Sequence, residues 1–139
     1  MSFRLETVGG IADAGTGGGE IDYRLARNAV IREYRRGRLS RLDICDAHPV
    51  LLRAARSVGA DTTEPCPVCE SGPTVHVSYA FGPHLPSGGR CFADARELGR
   101  LVRRAGRVAC YVVEVCSECS WNHLARTFMV NRRAARGAP

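Results

Sequence analysis

The chain contains no lysine and no glutamine, so each of its 20 basic side chains is an arginine. A GC-rich genome accounts for that bias without any function. The physical consequence is the same in either case: a guanidinium presents a planar fork that matches phosphate and carboxylate, which an ammonium does not. Aromatic residues are scarce, with one Trp, four Tyr and four Phe among 139 residues. That excludes a core built mainly on aromatic layers and leaves a modest one. No apolar run approaches the roughly 20 residues of a membrane-spanning helix. No charged-then-apolar leader opens the sequence, and seven cysteines cannot all pair with one another. A secreted disulfide framework is therefore not expected, and the cytoplasm is the expected compartment. With a net charge of +6, electrostatics favour an anionic partner but say nothing about fold.

Against these absences stand two C-x-x-C steps, Cys66-Pro67-Val68-Cys69 and Cys116-Ser117-Glu118-Cys119, separated by 46 residues. A C-x-x-C turn brings two thiolates to one ion, and two such turns fill a tetrahedron at about 2.3 Å per bond. A site filled in this way is closed, hence structural, because catalytic zinc keeps a position open. One Zn²⁺ held by Cys66, Cys69, Cys116 and Cys119 is the expected cofactor; an iron–sulfur centre and disulfide or redox use are the competing readings of the same spacing. Metal binding would stabilise so small a core directly, because its free energy becomes folding free energy.

Residues 1–20 hold six of the 15 glycines and read as a flexible leader. Residues 21–130 read as one zinc-stabilised domain, and residues 131–139 as a disordered basic tail able to release counterions from nucleic acid. Tyr23, Ala26, Val30 and Tyr34 share a helical face, which predicts a first helix over 21–36 stopped by Gly37. Arg24, Arg32, Arg35 and Arg36 lie on its far side. Pro49 opens a second helix whose face is Leu51, Leu52, Ala55 and Val58, and the two helices are expected to form a hairpin. Residues 60–65 read as a polar connection. Val75, Val77, Tyr79 and Phe81 alternate with Thr74, His76, Ser78 and Ala80, a half-buried strand with His76 on its surface side.

After a Gly/Pro-rich loop, residues 91–105 read as a third helix with the seam Ala95, Leu98, Val102 and Ala105. Arg96, Arg100, Arg103 and Arg107 recur on its other side: a solvated face in the plain reading, a phosphate or nucleic-acid contact in the functional one. Residues 108–115 are β-branched and predict a central strand. Residues 120–130 predict another, with Leu124, Phe128 and Val130 on one face and the second cysteine pair in the intervening turn. The expected fold is α+β: a zinc-ribbon-like three-stranded antiparallel sheet with two C-x-x-C knuckles, an N-terminal helical hairpin and one helix inserted between strands. Trp121 is expected to shield the sulfurs and His123 to donate an N–H to a thiolate. Cys45 reads as a buried free thiol. Cys91, Cys110 and His84 suggest no role.

The stretch Ile21-Asp22-Tyr23, the segment from Cys45-Asp46-Ala47 through Leu51-Leu52-Arg53-Ala54-Ala55, the first knuckle, and Tyr111-Val112-Val113-Glu114-Val115-Cys116 with Cys119-Ser120-Trp121-Asn122-His123-Leu124 together resemble a small actinobacterial family classed as a domain of unknown function. The resemblance covers about residues 20–130. It implies a zinc-ribbon-like four-cysteine core in an intracellular setting and carries no activity. It also implies that Glu114, Trp121, Asn122 and His123 form a shared surface or support the zinc.

Four functions are weighed on the residues. The first is a binding module for nucleic acid or for a transcription or translation assembly, held by structural zinc. The second is a protein–protein adaptor docking through Trp121, Tyr79 or Phe81. The third, an enzyme, has only Cys45, Asp46 and His48 as a nucleophile-like cluster. No His-Glu zinc motif, phosphate loop or Gly-x-Ser-x-Gly elbow is present, so no catalysis is expected. The fourth is a redox switch, which any four-cysteine site allows.

Overall fold

Three strands carry the hydrophobic alternation, and they form the centre of the sheet. These are β3 (Pro73–Phe81), β5 (Arg107–Val115) and β6 (Asn122–Asn131). The computed structural model describes residues 19–132. The expected leader, apart from its last two residues, and the tail beyond Arg132 lie outside that range. Glu20 and Asn131, at the inner margins of those segments, are both strand residues.

The sheet has six strands rather than the expected three. β1 (Glu20–Asp22) pairs with β6, while β2 (Ala60–Pro65) and β4 (Arg90–Phe92) pair with successive stretches of the free edge of β3, giving the order β1-β6-β5-β3-β2 with β4 also on β3. All pairings are antiparallel. The three additional strands are short and lie at the edges. β1 is wholly exposed and β2 mostly so. A strand of that kind has no buried face to impose a period of two; its partner's free N–H and C=O groups define it. This is why residues 60–65 read as a connection.

The helices are α1 (Arg24–Arg35), α2 (Arg41–Ile44), α3 (Pro49–Val58) and α4 (Ala95–Ala105). The first begins three residues later than its periodicity indicates, because Ile21 and Asp22 pair with Thr127 and Arg126. The Asp22 carboxylate then accepts the Arg24 N–H at 2.8 Å. α2 is one turn fixed by a capping box: Ser40 Oγ accepts from Asp43 N, and the Asp43 carboxylate accepts from Ser40 N. α4 starts at Ala95 rather than at residue 91, with Asp94 accepting the Glu97 N–H at 2.9 Å and Cys91 and Phe92 drawn into β4.

α1 and α3 do not make a hairpin packed helix on helix. The main contacts of α1 are with β6, and those of α3 are with β3, β4 and β5. α3 covers one sheet face, where Leu51 and Ala55 meet Val77, Tyr79, Tyr111, Val113, Val115 and Leu124. α4 covers the other at the far end, where Val102 meets Ala80, Phe92, Val108 and Cys110. Burying a Val or Leu in such a layer contributes about 1.5–3 kcal/mol each. Leu124 does not share a face with Phe128 and Val130. A bulge sets Val112 opposite Arg126 but Val113 opposite Leu124, leaving Ala125 as the extra residue. Each bulge shifts the inward set by one position. The bulged backbone is also used: Ala125 C=O accepts the Tyr23 N–H at 2.9 Å, which anchors the start of α1.

Candidate metal centre

Two turns of the same construction meet at one end of the sheet. The first joins β2 to β3 and carries Cys66 and Cys69; the second joins β5 to β6 and carries Cys116 and Cys119. In each, the residue after the second cysteine donates its N–H to the carbonyl of the first, Glu70 to Cys66 at 3.1 Å and Ser120 to Cys116 at 2.9 Å. In each, that same residue is left-handed, Glu70 with φ 58° and Ser120 with φ 72°. The first cysteine closes the turn through its own N–H, Cys66 to Gly72 O and Cys116 to Trp121 O, both at 2.9 Å.

The four sulfurs lie within 4.8 Å of one another, with Cys66–Cys119 and Cys69–Cys116 each at 3.6 Å. A tetrahedral site with bonds of about 2.3 Å has edges of about 3.8 Å, so the residues fit one four-coordinate, thiolate-bound metal ion. Cys66 and Cys116 are buried and Cys69 and Cys119 half-buried, all as free thiols rather than disulfides. Burial pushes Cys66 and Cys116 up to about 11 and Cys119 up to about 12, against the pull of nearby backbone N–H groups. Burial acts on Cys69 in the same sense, but hydrogen bonds from Ser71 and the neighbouring sulfurs outweigh it and bring Cys69 to about 6. A metal-free cluster therefore keeps most of its protons at neutral pH, and an incoming cation must displace them.

Trp121 is fully buried in the cluster that also contains Cys66, Cys116, Ile31 and Ile44. Its indole Nε1 has no hydrogen-bond partner, so its role here is apolar cover. His123 is placed differently from expectation. Its Nδ1 lies 2.7 Å from the Leu124 carbonyl, and because a carbonyl can only accept, that nitrogen is the donor. Burial holds the ring's pKa down, so it is neutral with Nε2 unprotonated, and no N–H remains for a thiolate. His123 instead stacks on Trp121 with ring centroids 6.0 Å apart. Asn122 donates to Asp46 Oδ1 at 3.0 Å and ties the second turn to the segment before α3. Trp121, Asn122, His123 and Glu114 are all buried, so they do not form a shared surface.

Two features escape a reading of the sequence. One is a buried ion pair. Glu114, 3% exposed, accepts from Arg27 Nε at 2.6 Å and Nη2 at 3.0 Å, and from Thr74 Oγ1 at 3.3 Å. In sheet register it sits between His76 on β3 and His123 on β6, at the back of a polar cleft of about 450 Å³ that Glu64, Arg24 and Arg126 also line. His76 is half-buried there rather than a surface residue, and burial lowers its pKa while Glu114 opposes that shift. A charge inside Val112-Val113-Glu114-Val115 was the available signal, since a buried carboxylate requires a cation. The second feature is Cys45, whose Sγ lies 3.7 Å from Cys119 Sγ, as close as the four sulfurs lie to each other.

Arg96, Arg100, Arg103 and Arg107 are all exposed. Arg100 lines a groove of about 640 Å³ between α4 and the loop before β4, where Arg90, Arg104 and His84 join it. Phe81 lies on Tyr111 at a centroid distance of 5.0 Å; Tyr79 is buried. Tyr79 and Trp121 are thus buried away from a docking surface, and Phe81 is half-buried. Among the described residues, no helix is long and apolar enough to cross a membrane.

No solved structure matches the chain. Uncharacterized protein Rv0049 of Mycobacterium tuberculosis and uncharacterized protein Mb0050 of Mycobacterium bovis are each 40% identical over 118 residues, covering 85% of this chain and 85% of the relative. A family model described as a family of unknown function, DUF5318, matches residues 17–138. With both turns, the sheet they join and the helices around it inside that match, the chain belongs to the DUF5318 family.

Proposed function

We propose that the protein is a non-enzymatic binding module whose fold is held by one structural Zn²⁺ on Cys66, Cys69, Cys116 and Cys119, and that it contacts nucleic acid or a nucleoprotein assembly through the arginines of α4. All-sulfur tetrahedral coordination suits zinc. Four cysteines would fill a tetrahedral ion's coordination and leave no position open for substrate, which supports a structural role. Cys45, Asp46 and His48, the one nucleophile-like cluster in the sequence, serve separate purposes. Cys45 faces Cys119, Asp46 holds Asn122, and His48 Nδ1 caps α3 by accepting the Val50 N–H at 3.0 Å.

One contrast carries the nucleic-acid reading. Arg24 and Arg27 of α1 and Arg36 and Arg38 in the turn after it have carboxylate partners at 2.6–3.8 Å, while Arg32 and Arg35 have none among the described residues. Among the described residues, no carboxylate pairs with Arg90, Arg96, Arg100, Arg103, Arg104 or Arg107. Glu97, the acidic residue in their groove, is held by the Ala93 N–H at 2.7 Å. Unpaired guanidiniums around a groove are matched to phosphate oxygens. The test is fluorescence anisotropy with labelled single-stranded and duplex oligonucleotides between 50 and 200 mM salt, concentrations over which several phosphate contacts weaken binding by orders of magnitude. Arg100→Glu with Arg104→Glu should weaken binding to every sequence alike and flatten the salt dependence. Wild-type protein that binds neither form at low salt would refute the reading.

The adaptor alternative has its own observation: Leu25 on α1 and Leu42 on α2 are 86% and 87% exposed. Binding of a protein that is indifferent to salt and lost in Leu42→Ser would favour it.

A further inference from the structure

The four-cysteine site has a fifth sulfur beside it. Cys45 ends α2, and its thiol is placed to donate to Cys119 Sγ at 3.7 Å. The other cross-turn sulfur contacts are 3.6 Å, so Cys45 is a neighbour at coordination distance from Cys119 without being one of the four that enclose the ion. The place is reachable from solvent. Cys45, Cys69 and Cys119, with Arg41, Ser71 and Glu118, line a depression of about 420 Å³. The Arg41 guanidinium lines the same depression, a positive charge beside a site that would carry −2 with four thiolates on a divalent ion. Cys91 and Cys110, the remaining thiols, lie along the sheet in other contacts.

We propose that Cys45 is the resolving thiol of a peroxide-responsive metal site, forming a disulfide with Cys119 that removes one ligand from the ion. The inference rests on a metal in the four-cysteine site. The step balances with a hydroperoxide as oxidant. The Cys119 thiolate attacks the peroxide O–O bond, giving a sulfenic acid and, with a proton, water or alcohol. The Cys45 thiol then displaces hydroxide from that sulfur, its proton leaving with the hydroxide as a second water, and the S–S bond forms. Two electrons pass from the two sulfurs to the peroxide. Closing 3.7 Å to a bond of about 2.05 Å needs a shift at the Cys45 end of the single-turn α2, whose Ile44 lies in the same buried cluster as Trp121. Cys66 is as near to Cys119, but a bond between those two would take two ligands from the ion, whereas Cys45 is not one of the four. Cys45 is the free nucleophile.

The test uses the full chain, zinc-loaded and reduced, treated with hydrogen peroxide. Zinc release is followed with a chromogenic chelator, and disulfides are mapped by mass spectrometry of a non-reducing digest. The expected result is a Cys45–Cys119 cross-link at a mass loss of about 2 Da per chain, loss of the ion, and return of both on adding a thiol and zinc. In Cys45→Ser, the sulfenic acid should persist long enough for dimedone to label Cys119, then pass to irreversible acids, so that zinc rebinding after reduction falls several-fold. Predominant Cys66–Cys69 or Cys116–Cys119 disulfides in the wild-type digest would overturn the proposal. So would zinc release and recovery in Cys45→Ser equal to wild type. The wild-type map decides the matter even if the variant folds poorly. A protein that binds no zinc at all but still forms the Cys45–Cys119 bond would sink the metal reading and keep the thiol pair.

Discussion

Replacing Arg27 by Met tests how the buried charge of Glu114 is held. The Glu114 side chain is 5% exposed and that of Arg27 12%, and their two contacts form a bidentate pair at 2.6 and 3.0 Å. Met keeps most of the aliphatic stem, so little packing is lost and the main effect is electrostatic. Glu114 would retain only Thr74 among its described partners, and an uncompensated buried charge of this kind costs about 3–5 kcal/mol. Native domains have only about 5–15 kcal/mol of stability in total, so the variant should lie near the threshold of folding. Glu114→Leu alone should also destabilise, because it leaves the Arg27 guanidinium with Glu64 at 3.7 Å as its remaining carboxylate. The double variant Arg27→Met with Glu114→Leu should recover most of the loss, since a buried ion pair replaced by apolar groups is often neutral. The assay is urea denaturation of zinc-saturated protein, read as midpoint and slope for all four species. Single variants within about 1 kcal/mol of wild type, or a double variant no better than the worse single one, would refute the reasoning.

Four other outcomes follow from the same structure. Cys66→Ser or Cys119→Ser should abolish stoichiometric zinc and loosen the fold; metal analysis finding full retention in either would remove that residue from the ligand set. Zinc affinity should rise with pH throughout the neutral range, because Cys66, Cys116 and Cys119 are protonated below about 11, 11 and 12 and each bound proton must leave. Competition titrations with a chelator of known pH dependence between pH 6 and 8 should show up to about tenfold per unit per displaced proton, and a flat profile would mean that the thiols are already ionised. Gly99, in mid-helix, has room for a methyl, with Arg103 Nη1 at 3.8 Å as the nearest atom, so Gly99→Ala should stabilise by about 0.5–1 kcal/mol. Gly89→Ala should do the opposite, because its φ is +84° and the new Cβ would meet the Phe81 ring at 2.7 Å; thermal melts compare the two.

The parts legible in the sequence are those where a side-chain pattern and a physical requirement coincide. The alternation of Val75, Val77, Tyr79 and Phe81 marks β3 because one face of that strand is buried under α3. The two C-x-x-C steps place four sulfurs together because each closes its own turn. What escaped is set by partners distant in the chain. Arg27 and Glu114 are 87 positions apart, and nothing local in α1 distinguishes Arg27 from its solvated neighbours. The bulge at Ala125 reverses the sense of Leu124 relative to Phe128 and Val130, and an uninterrupted parity count cannot detect an extra residue. Cys45 appeared as an ordinary small hydrophobe because its distance from Cys119 depends on where the one-turn α2 comes to rest.

The margins of the sheet bear on what can attach to it. One side ends in three residues of β1, the other in β2 and β4, of which β2 is irregular between Asp61 and Pro65 and finishes on a proline that has no N–H to offer. Short, broken borders of this kind discourage another chain from joining as an additional strand. Among the described residues, a peptide that binds by extending the ladder past β1, β2 or β4 finds only a short template, and edge-to-edge self-association there is blunted by the same construction.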